Sequence, residues 1–374
     1  MKIGLLTHSV NPRGGVVHAL ELGDALSGLG HEVTVMAPAA AGATFFRPTR
    51  CRTAIAPVAP HGPGTVPMVR ARIDAFVAYL RRVLPVERYD VLHAQDSISG
   101  NALADLVDDG TVPGFVRTVH HLDDFDDAQL SSWQLRAFDA ASLVCCVSAT
   151  WIDHLRAVHG IEAQQISNGV NRRVFNPDVT AEGDAGVAAN LGIARGGALF
   201  LAVGGVEERK NTLAILQAYS SVRKQHPCAR LVIAGGASLL DHDAYGRRFH
   251  AALDDIGASG VTITGPLPDG VLPALYRLAD ALIMPSWREG FGLAVLEALA
   301  CGTPAVVSRR APFTEHLTES EVLFTDPADP DAIASSMLQA LVFRPEPESL
   351  LQRYSWDASA RRHQTLYESV LATC

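Results

Sequence analysis

Long apolar runs are missing from this 374-residue chain, and so is any basic excess. No stretch approaches the ~20 consecutive apolar residues that a membrane-spanning helix requires. Lys and Arg total 31 against 40 Asp and Glu, a formal net charge of −9. Divided at residue 175, the chain carries 15 basic and 17 acidic side chains before that point and 16 and 23 after it. Neither half has the positive balance of a nucleic-acid binder. The six cysteines, at 51, 145, 146, 228, 301 and 374, form no C-x-x-C pair. Cys145, Cys146 and Cys301 lie in apolar stretches, so reduced, buried packing thiols of a cytoplasmic protein are expected. The first residues, Met1 to His8, read as a strand and lack the regions of a secretory leader. No G-x-G-x-x-G fingerprint follows that strand, which argues against a nicotinamide enzyme.

What is present is the composition of an ordinary soluble α/β protein, 48% hydrophobic and 19% charged, with a length that suggests two domains. Short apolar runs alternate with helical-period segments, the pattern of βα units and parallel sheets. Strands are expected at 3–8, 32–37, 90–94, 115–120, 143–148 and 165–166. The alternation restarts at 198–203, 230–234, 261–264, 281–284, 304–308 and 322–325. A loop richer in Asn, Pro, Asp and Gly, from Asn168 to about Gly197, separates the halves and is the natural hinge. From Trp356 onward the chain reads as a helix with Trp356, Ala360, Leu366, Tyr367 and Val370 inward. Between Val69 and Leu84, Arg70, Arg72, Arg81 and Arg82 alternate with Ile73, Phe76, Val77 and Leu80. That helix either packs on its own domain with a solvated basic face or touches anionic lipid at the inner face of a membrane.

The most informative segment runs from Ser286 to Pro304. A buried strand leads into Glu289-Gly-Phe-Gly-Leu293, after which a helix runs to about Cys301 with Gly302 as its C-cap and Pro304 beyond. The turn should lie at the carboxyl end of a parallel sheet, where open α/β sheets bind ligands. Gly290 and Gly292 let backbone approach closely, and the first helical turn offers N–H groups to an anion, most simply a phosphate. Glu297, one turn in, would repel phosphate but can accept hydrogen bonds from sugar hydroxyls. Elsewhere, Gly14 and Gly15 form a strand-to-helix turn that can receive an oxygen or phosphate. Arg209 and Lys210 precede a helix and can neutralise a diphosphate. His120 ends a strand, with His93 and Asp96 weaker candidates at another strand end.

The segment at 286–304 resembles the E-x7-E motif of retaining glycosyltransferases with the GT-B fold, family four, also called group 1. The resemblance extends over nearly the whole chain, through Thr118-Val-His120, Ser148, Gly204 to Lys210 and Asn168-Gly-Val-Asn171. It implies an α/β chain with two Rossmann-like, doubly wound domains facing a central cleft. The N-terminal acceptor domain would comprise residues 1–172 plus a crossover helix at 356–374, and the donor domain residues 173–355. It implies a metal-independent transferase of the hexosyl type, without cofactor, taking a nucleotide diphosphate sugar as co-substrate. The acceptor would be a glycan, a lipid or a small molecule. Glu289 and His120 would position the transferred sugar, Lys210 and the Gly290, Phe291, Gly292 and Leu293 backbone would hold the diphosphate, and Glu297 would bind ribose. Gly14 and Gly15 become phosphate contacts. The family's Arg is replaced by Gly205, with Arg209 its substitute by position, and His121 stands where Asp is common. Glu315 lies where a further acidic residue often occurs. Asp124-Phe-Asp126 looks like the D-x-D metal motif of another fold but is expected to be an exposed acidic loop. A nucleotide-sugar epimerase or a catalytically idle nucleotide-sugar binder with the same fold are the alternatives. Ala and Arg content hints at a GC-rich bacterial genome and thus at envelope glycans, glycolipids or small glycosides.

Overall fold

The computed structural model describes all residues except 179–180, 194–195, 237–242, 258, 269 and 374. It divides into two compact units, Met1–Gly169 with Tyr354–Cys374, and Val170–Arg353.

In the first unit a 7-stranded sheet holds β1 (Lys2–Leu6), β2 (Glu32–Ala39), β3 (Arg52–Pro57), β4 (Val91–Ala94), β5 (Val116–Val119), β6 (Leu143–Cys146) and β7 (Ala163–Gln165). Their order is β3-β2-β1-β4-β5-β6-β7, all pairings being parallel. The switch between β1 and β4 places the Gly14–Gly28 helix and the residues after β4 and β5 at one sheet edge, where such folds take ligands. β3 was not expected from the sequence. Arg52 and Thr53 are exposed and only Ala56 is buried, so this edge strand carries no apolar alternation to betray it.

The second unit has a 6-stranded parallel sheet of β8 (Leu199–Val203), β9 (Arg230–Ala234), β10 (Val261–Gly265), β11 (Ala281–Met284), β12 (Ala305–Ser308) and β13 (Leu323–Thr325). The order β10-β9-β8-β11-β12-β13 is again doubly wound. Its core joins Phe200, Ile233 and Ile283 on the strands to Tyr219, Val222 and Met337 on the helices.

Four expectations need correction. The stretch from Asn168 to Gly197 is not all loop, because Ala181–Asn190 is a helix. Val187 is its one large apolar side chain, so it has no stripe to read. What holds it is tertiary: Arg277 grips Asp184 through two bonds of 2.8 and 2.9 Å, and Ala188 is buried. The Leu293–Ala300 helix ends on Cys301 as C-cap, with Gly302 one residue later at φ 83°. Cys228 is exposed, whereas Cys51, Cys145, Cys146 and Cys301 are buried free thiols. Burial pushes Cys51 up to about 11 and Cys146 and Cys301 up to about 12, so these are packing groups. Val370 is only half-buried, while Trp356, Ala360, Leu366 and Tyr367 lie in the core.

The terminal helix Trp356–Thr373 belongs to the first unit. The basic helix, Thr65–Val83, buries Ile73, Phe76, Val77 and Leu80 in that unit. Its arginines have partners there. Arg72 donates to the His8 carbonyl at 3.0 Å, Arg81 meets Asp109 at 2.6 Å, and Arg70 and Arg82 lie over the rings of Trp133 and Tyr79. No helix among the described residues is long and apolar enough to cross a membrane.

Candidate active site

In the second unit the chain leaves β8 through Gly204 and Gly205, at φ 123° and 77°. A β-carbon at Gly204 would lie 2.7 Å from Lys210 Cε, and one at Gly205 would lie 2.6 Å from the Gly236 carbonyl oxygen. The first glycine makes room for the lysine stem; the second lets two loops touch backbone to backbone. An Arg at 205 would need a left-handed backbone and would meet that carbonyl. The Glu208–Lys210 turn then passes through Asn211, left-handed at φ 60°, into the Thr212–Gln225 helix. Asn211 is buried and its side-chain amide donates to the Pro285 and Pro327 carbonyls at 3.1 and 2.7 Å. Sequence reading passed over this joint, although Asn is a residue type that tolerates the left-handed region.

These turns bring Lys210 to Glu289. Nζ lies 2.6 Å from Glu289 Oε1, Arg209 lies 3.5 Å from Oε2, and Arg209 also reaches Glu207 at 3.2 Å. Trp287 N–H donates to the Arg209 carbonyl at 2.8 Å, which ties the loop after β8 to the loop after β11. Two cations are therefore matched here by two carboxylates, of which Glu207, only 2% exposed, was not anticipated. Burial raises the Glu289 carboxyl, but the charges of Lys210 and Arg209 outweigh it and hold Glu289 below the usual range. Burial lowers Lys210, with Glu289 opposing.

The Leu293–Ala300 helix starts immediately beyond. Gly292 is its left-handed N-cap at φ 97°, and a β-carbon there would lie 2.5 Å from a Phe313 ring atom. Phe291 turns inward and stacks on His316, ring centroids 4.6 Å apart and planes 2° from parallel. Gly290 and Leu293 are half-buried. Glu297 is buried and accepts a 2.8 Å hydrogen bond from the Tyr276 hydroxyl. Burial and the Glu297 charge raise the Tyr276 phenol well above its ordinary value, so it remains the donor. Glu315 is exposed on the Phe313–His316 turn.

The first unit gathers imidazoles at its sheet edge. His120 follows β5, and its Nε2 lies 3.1 Å from Gln95 Oε1. Gly14 opens its helix onto free space, whereas Gly15 faces the His120 ring; a β-carbon there would sit 3.5 Å from Cδ2. His18, one turn on, packs edge to face on His120 at 4.6 Å, and its Nδ1 pairs with Asn168 Oδ1 at 2.7 Å. Asn168 is thus buried in this unit, and the adjacent Gly169 packs on the Ser355–Trp356 backbone.

His93 lies deeper, bonded to the Tyr367 hydroxyl and to Thr118 Oγ1, each at 2.7 Å. His363, on the terminal helix, pairs through Nδ1 with the Ser359 carbonyl at 2.9 Å. Burial is the main reason that all four imidazoles stay neutral: His18 is lowered to about 4, His363 to about 3, and His93 and His120 well below the ordinary value. Sequence reading did not single out His18, Gln95 or His363. His18 meets His120 and His363 edge to face, and His93 is tilted 40° to His363. No group of three or more His, Cys, Asp or Glu among the described residues is placed to hold a metal ion.

Other candidates have local duties. Asp96 caps the Ser97–Asp108 helix by accepting from Ser99 N–H at 2.8 Å, and Ser148 is the N-cap residue of Ala149–His154. In the acidic run, Asp127 caps the Ala128–Asp139 helix and Asp124 and Asp126 are exposed. His121 is exposed, 3.5 Å from Asp123.

Residues 12–174 match the family model Glycosyltransferase Family 4, and residues 188–353 match that of Glycosyl transferases group 1. The D-inositol 3-phosphate glycosyltransferase of Acidothermus cellulolyticus is 30% identical over 311 residues, covering 76% of this chain and 68% of that protein. The chain belongs to the group 1 glycosyltransferases. An uncharacterized glycosyltransferase of Methanocaldococcus jannaschii is 24% identical to this glycosyltransferase, covering 76% of it and 77% of the relative. Sucrose-phosphate synthase from Thermosynechococcus elongatus superposes with a TM-score of 0.80 at 22% identity, covering all of both chains. Anabaena HepE, solved in complex with UDP-glucose, gives 0.75 at 17%, again over the full length of both chains. The fold of this glycosyltransferase is GT-B.

Proposed function

We propose that this glycosyltransferase moves a hexose from a nucleoside diphosphate sugar to an acceptor hydroxyl with retention at the anomeric carbon, without a metal ion. The observation that carries the reading is the Lys210, Arg209 and Glu289 constellation beside the helix that opens at Gly292. As the bond from the anomeric carbon to the diphosphate breaks, negative charge grows on the leaving oxygens. Lys210, Arg209 and the N–H groups opening the helix are fixed donors for that charge, whose placement needs no reorganisation at the moment of reaction. Because Glu207 and Glu289 match the two cations, transfer without a metal relies here on directed N–H donors rather than on a net positive charge. Glu289, kept ionised, faces the positive charge that develops on the sugar ring, and Glu297 accepts from ribose hydroxyls. The nucleotide ligands carried by solved GT-B structures, UDP-glucose in Anabaena HepE and ADP in Arabidopsis starch synthase IV, support this donor class.

A thermal-shift panel of UDP-, GDP-, ADP- and TDP-sugars tests the donor site. Saturation at about 100 times the dissociation constant adds ~2.7 kcal/mol of stability. A shift confined to one nucleotide and lost in Glu297→Ala supports the assignment. Proton NMR of the product then reads the anomeric configuration, and turnover in excess chelator reads the metal. An inverted product or abolition by chelator defeats the corresponding part of the reading; sugar conversion without an acceptor would make the protein an isomerase.

A further inference from the structure

We propose that Gln95 is a positioning residue for His120, holding its imidazole as the Nε2–H tautomer so that Nδ1 is left as a hydrogen-bond acceptor for a sugar hydroxyl. The inference rests on the role given to His120 above and assigns it a tautomer, a partner and a direction of hydrogen bonding. Among the four clustered imidazoles, the remaining nitrogen decides which can meet a ligand. His93 uses both of its nitrogens within the unit. His18 and His363 each use Nδ1, and each leaves Nε2 buried without a partner. His120 is half-buried, uses Nε2 on Gln95, and leaves no buried unpaired nitrogen, so Nδ1 is its outward atom.

Gln95 is closely packed and its amide Nε2 is buried without a partner, so the tautomer assigned to His120 rests on the amide orientation that turns Oε1 toward the ring. Gln95 follows β4 directly, its backbone N–H is bonded to the Leu6 carbonyl at 2.9 Å, and the residue is 2% exposed. A neutral carbonyl acceptor selects the tautomer without drawing a proton onto the ring. The surroundings agree: His18 on the first helix, His93 on β4, Arg117 on β5 and His121 in the following loop all face His120, and none of them would favour an imidazolium. A β-carbon at Gly15 would lie 3.5 Å from Cδ2 and 3.7 Å from Nε2, so the first helix passes close to the Nε2 edge of the ring. A donor sugar hydroxyl, which has a proton to give, is the complement of a bare Nδ1.

The test compares Gln95→Leu, Gln95→Glu and His120→Ala in the full-length protein, with unfolding midpoints confirming the fold. Nitrogen-15 NMR of histidine-labelled protein, with the His120 signals assigned by their loss in His120→Ala, reads the tautomer directly. We expect the Nε2–H form in the wild type, a mixture in Gln95→Leu, and a protonated ring near neutral pH in Gln95→Glu. Transfer by Gln95→Leu should fall about tenfold in kcat/KM, equivalent to about 1.4 kcal/mol. Gln95→Glu should lose activity toward acid with an apparent pKa at least one unit above that of the wild type. Unchanged His120 signals and pH profiles in both Gln95 variants, with His120→Ala inactive, overturn the role of Gln95 while keeping that of His120. A fully active His120→Ala overturns both.

Discussion

At the carboxyl end of the second unit's sheet, Glu289 is held ionised by Lys210 at 2.6 Å and by Arg209 at 3.5 Å. At the corresponding end of the first unit's sheet the polar groups are imidazoles, kept neutral by burial and by one another. Both edges follow from the same parallel topology, yet their chemistry differs. In the proposed transfer the charged edge stabilises the charge that grows on the leaving group, and each of its ions needs the other. The imidazole edge offers directional hydrogen bonds, and its histidines depend on remaining unprotonated. On the proposed reading the difference separates two jobs of a glycosyl transfer, holding a leaving group and orienting a sugar, and it makes the two edges fail under different conditions.

The sharpest way to break the comparison is to remove one ion. Lys210→Ala should cut transfer by about a hundredfold or more, the scale of losing a fixed donor to transition-state charge. It should also lower the thermal midpoint, because the buried Glu289 carboxylate loses the ion pair it makes at 2.6 Å. Combining it with Glu289→Gln should recover midpoint without recovering rate; recovery of rate would deny the lysine its part in transfer.

A smaller effect is expected where the charged edge departs from its family. Restoring arginine through Gly205→Arg should destabilise the protein by about 1–3 kcal/mol, read from its urea midpoint, because φ 77° and the Gly236 carbonyl oppose any side chain. Gly186→Ala, in open space on a helix, is the control and should not lose stability. A Gly205→Arg variant as stable as the wild type would show that the loop can rearrange to take the arginine.

The mildest perturbation is pH. An imidazole with a folded pKa below the ordinary 6.5 binds its proton more weakly folded than unfolded, so stability falls as pH drops below about 6.5. The loss continues to about 4 for His18 and about 3 for His363. Glu289 is depressed below 4.5, so its contribution is present above that value and is lost only as pH falls through its lower folded pKa. The second unit has His316, lowered to about 4 mainly by burial. Between pH 7 and 5, hydrogen exchange corrected for intrinsic rates should therefore show the first unit losing protection, by at least about tenfold, more than the second. Equal losses would mean that the imidazoles contribute no special acid sensitivity.

Much of this was legible in the sequence because it is local. The apolar runs of β8 and β11 are bounded by turn residues, and the glycine-rich turn into the Leu293–Ala300 helix is written in consecutive residues. The edge strand β3 and the Ala181–Asn190 helix were not legible, because neighbours rather than their own apolar pattern hold them in place. The pairing of Arg209 with Glu207 was also missed. A run of Glu-Glu-Arg-Lys shows charges but not which side chain the turn directs inward.

The sequence by itself determined the two parallel α/β sheets and the identity of the residues at their carboxyl ends, since strand periodicity, glycine and the spacing of Glu289 from Glu297 are short-range properties. Only the tertiary structure decided which of those groups share a dielectric environment. Lys210 meets Glu289 across 79 positions, and His93 meets Tyr367 across 274. Such pairings depend on which surfaces lose water together when the sheets and helices pack, and that is a property of the closed chain rather than of any window along it.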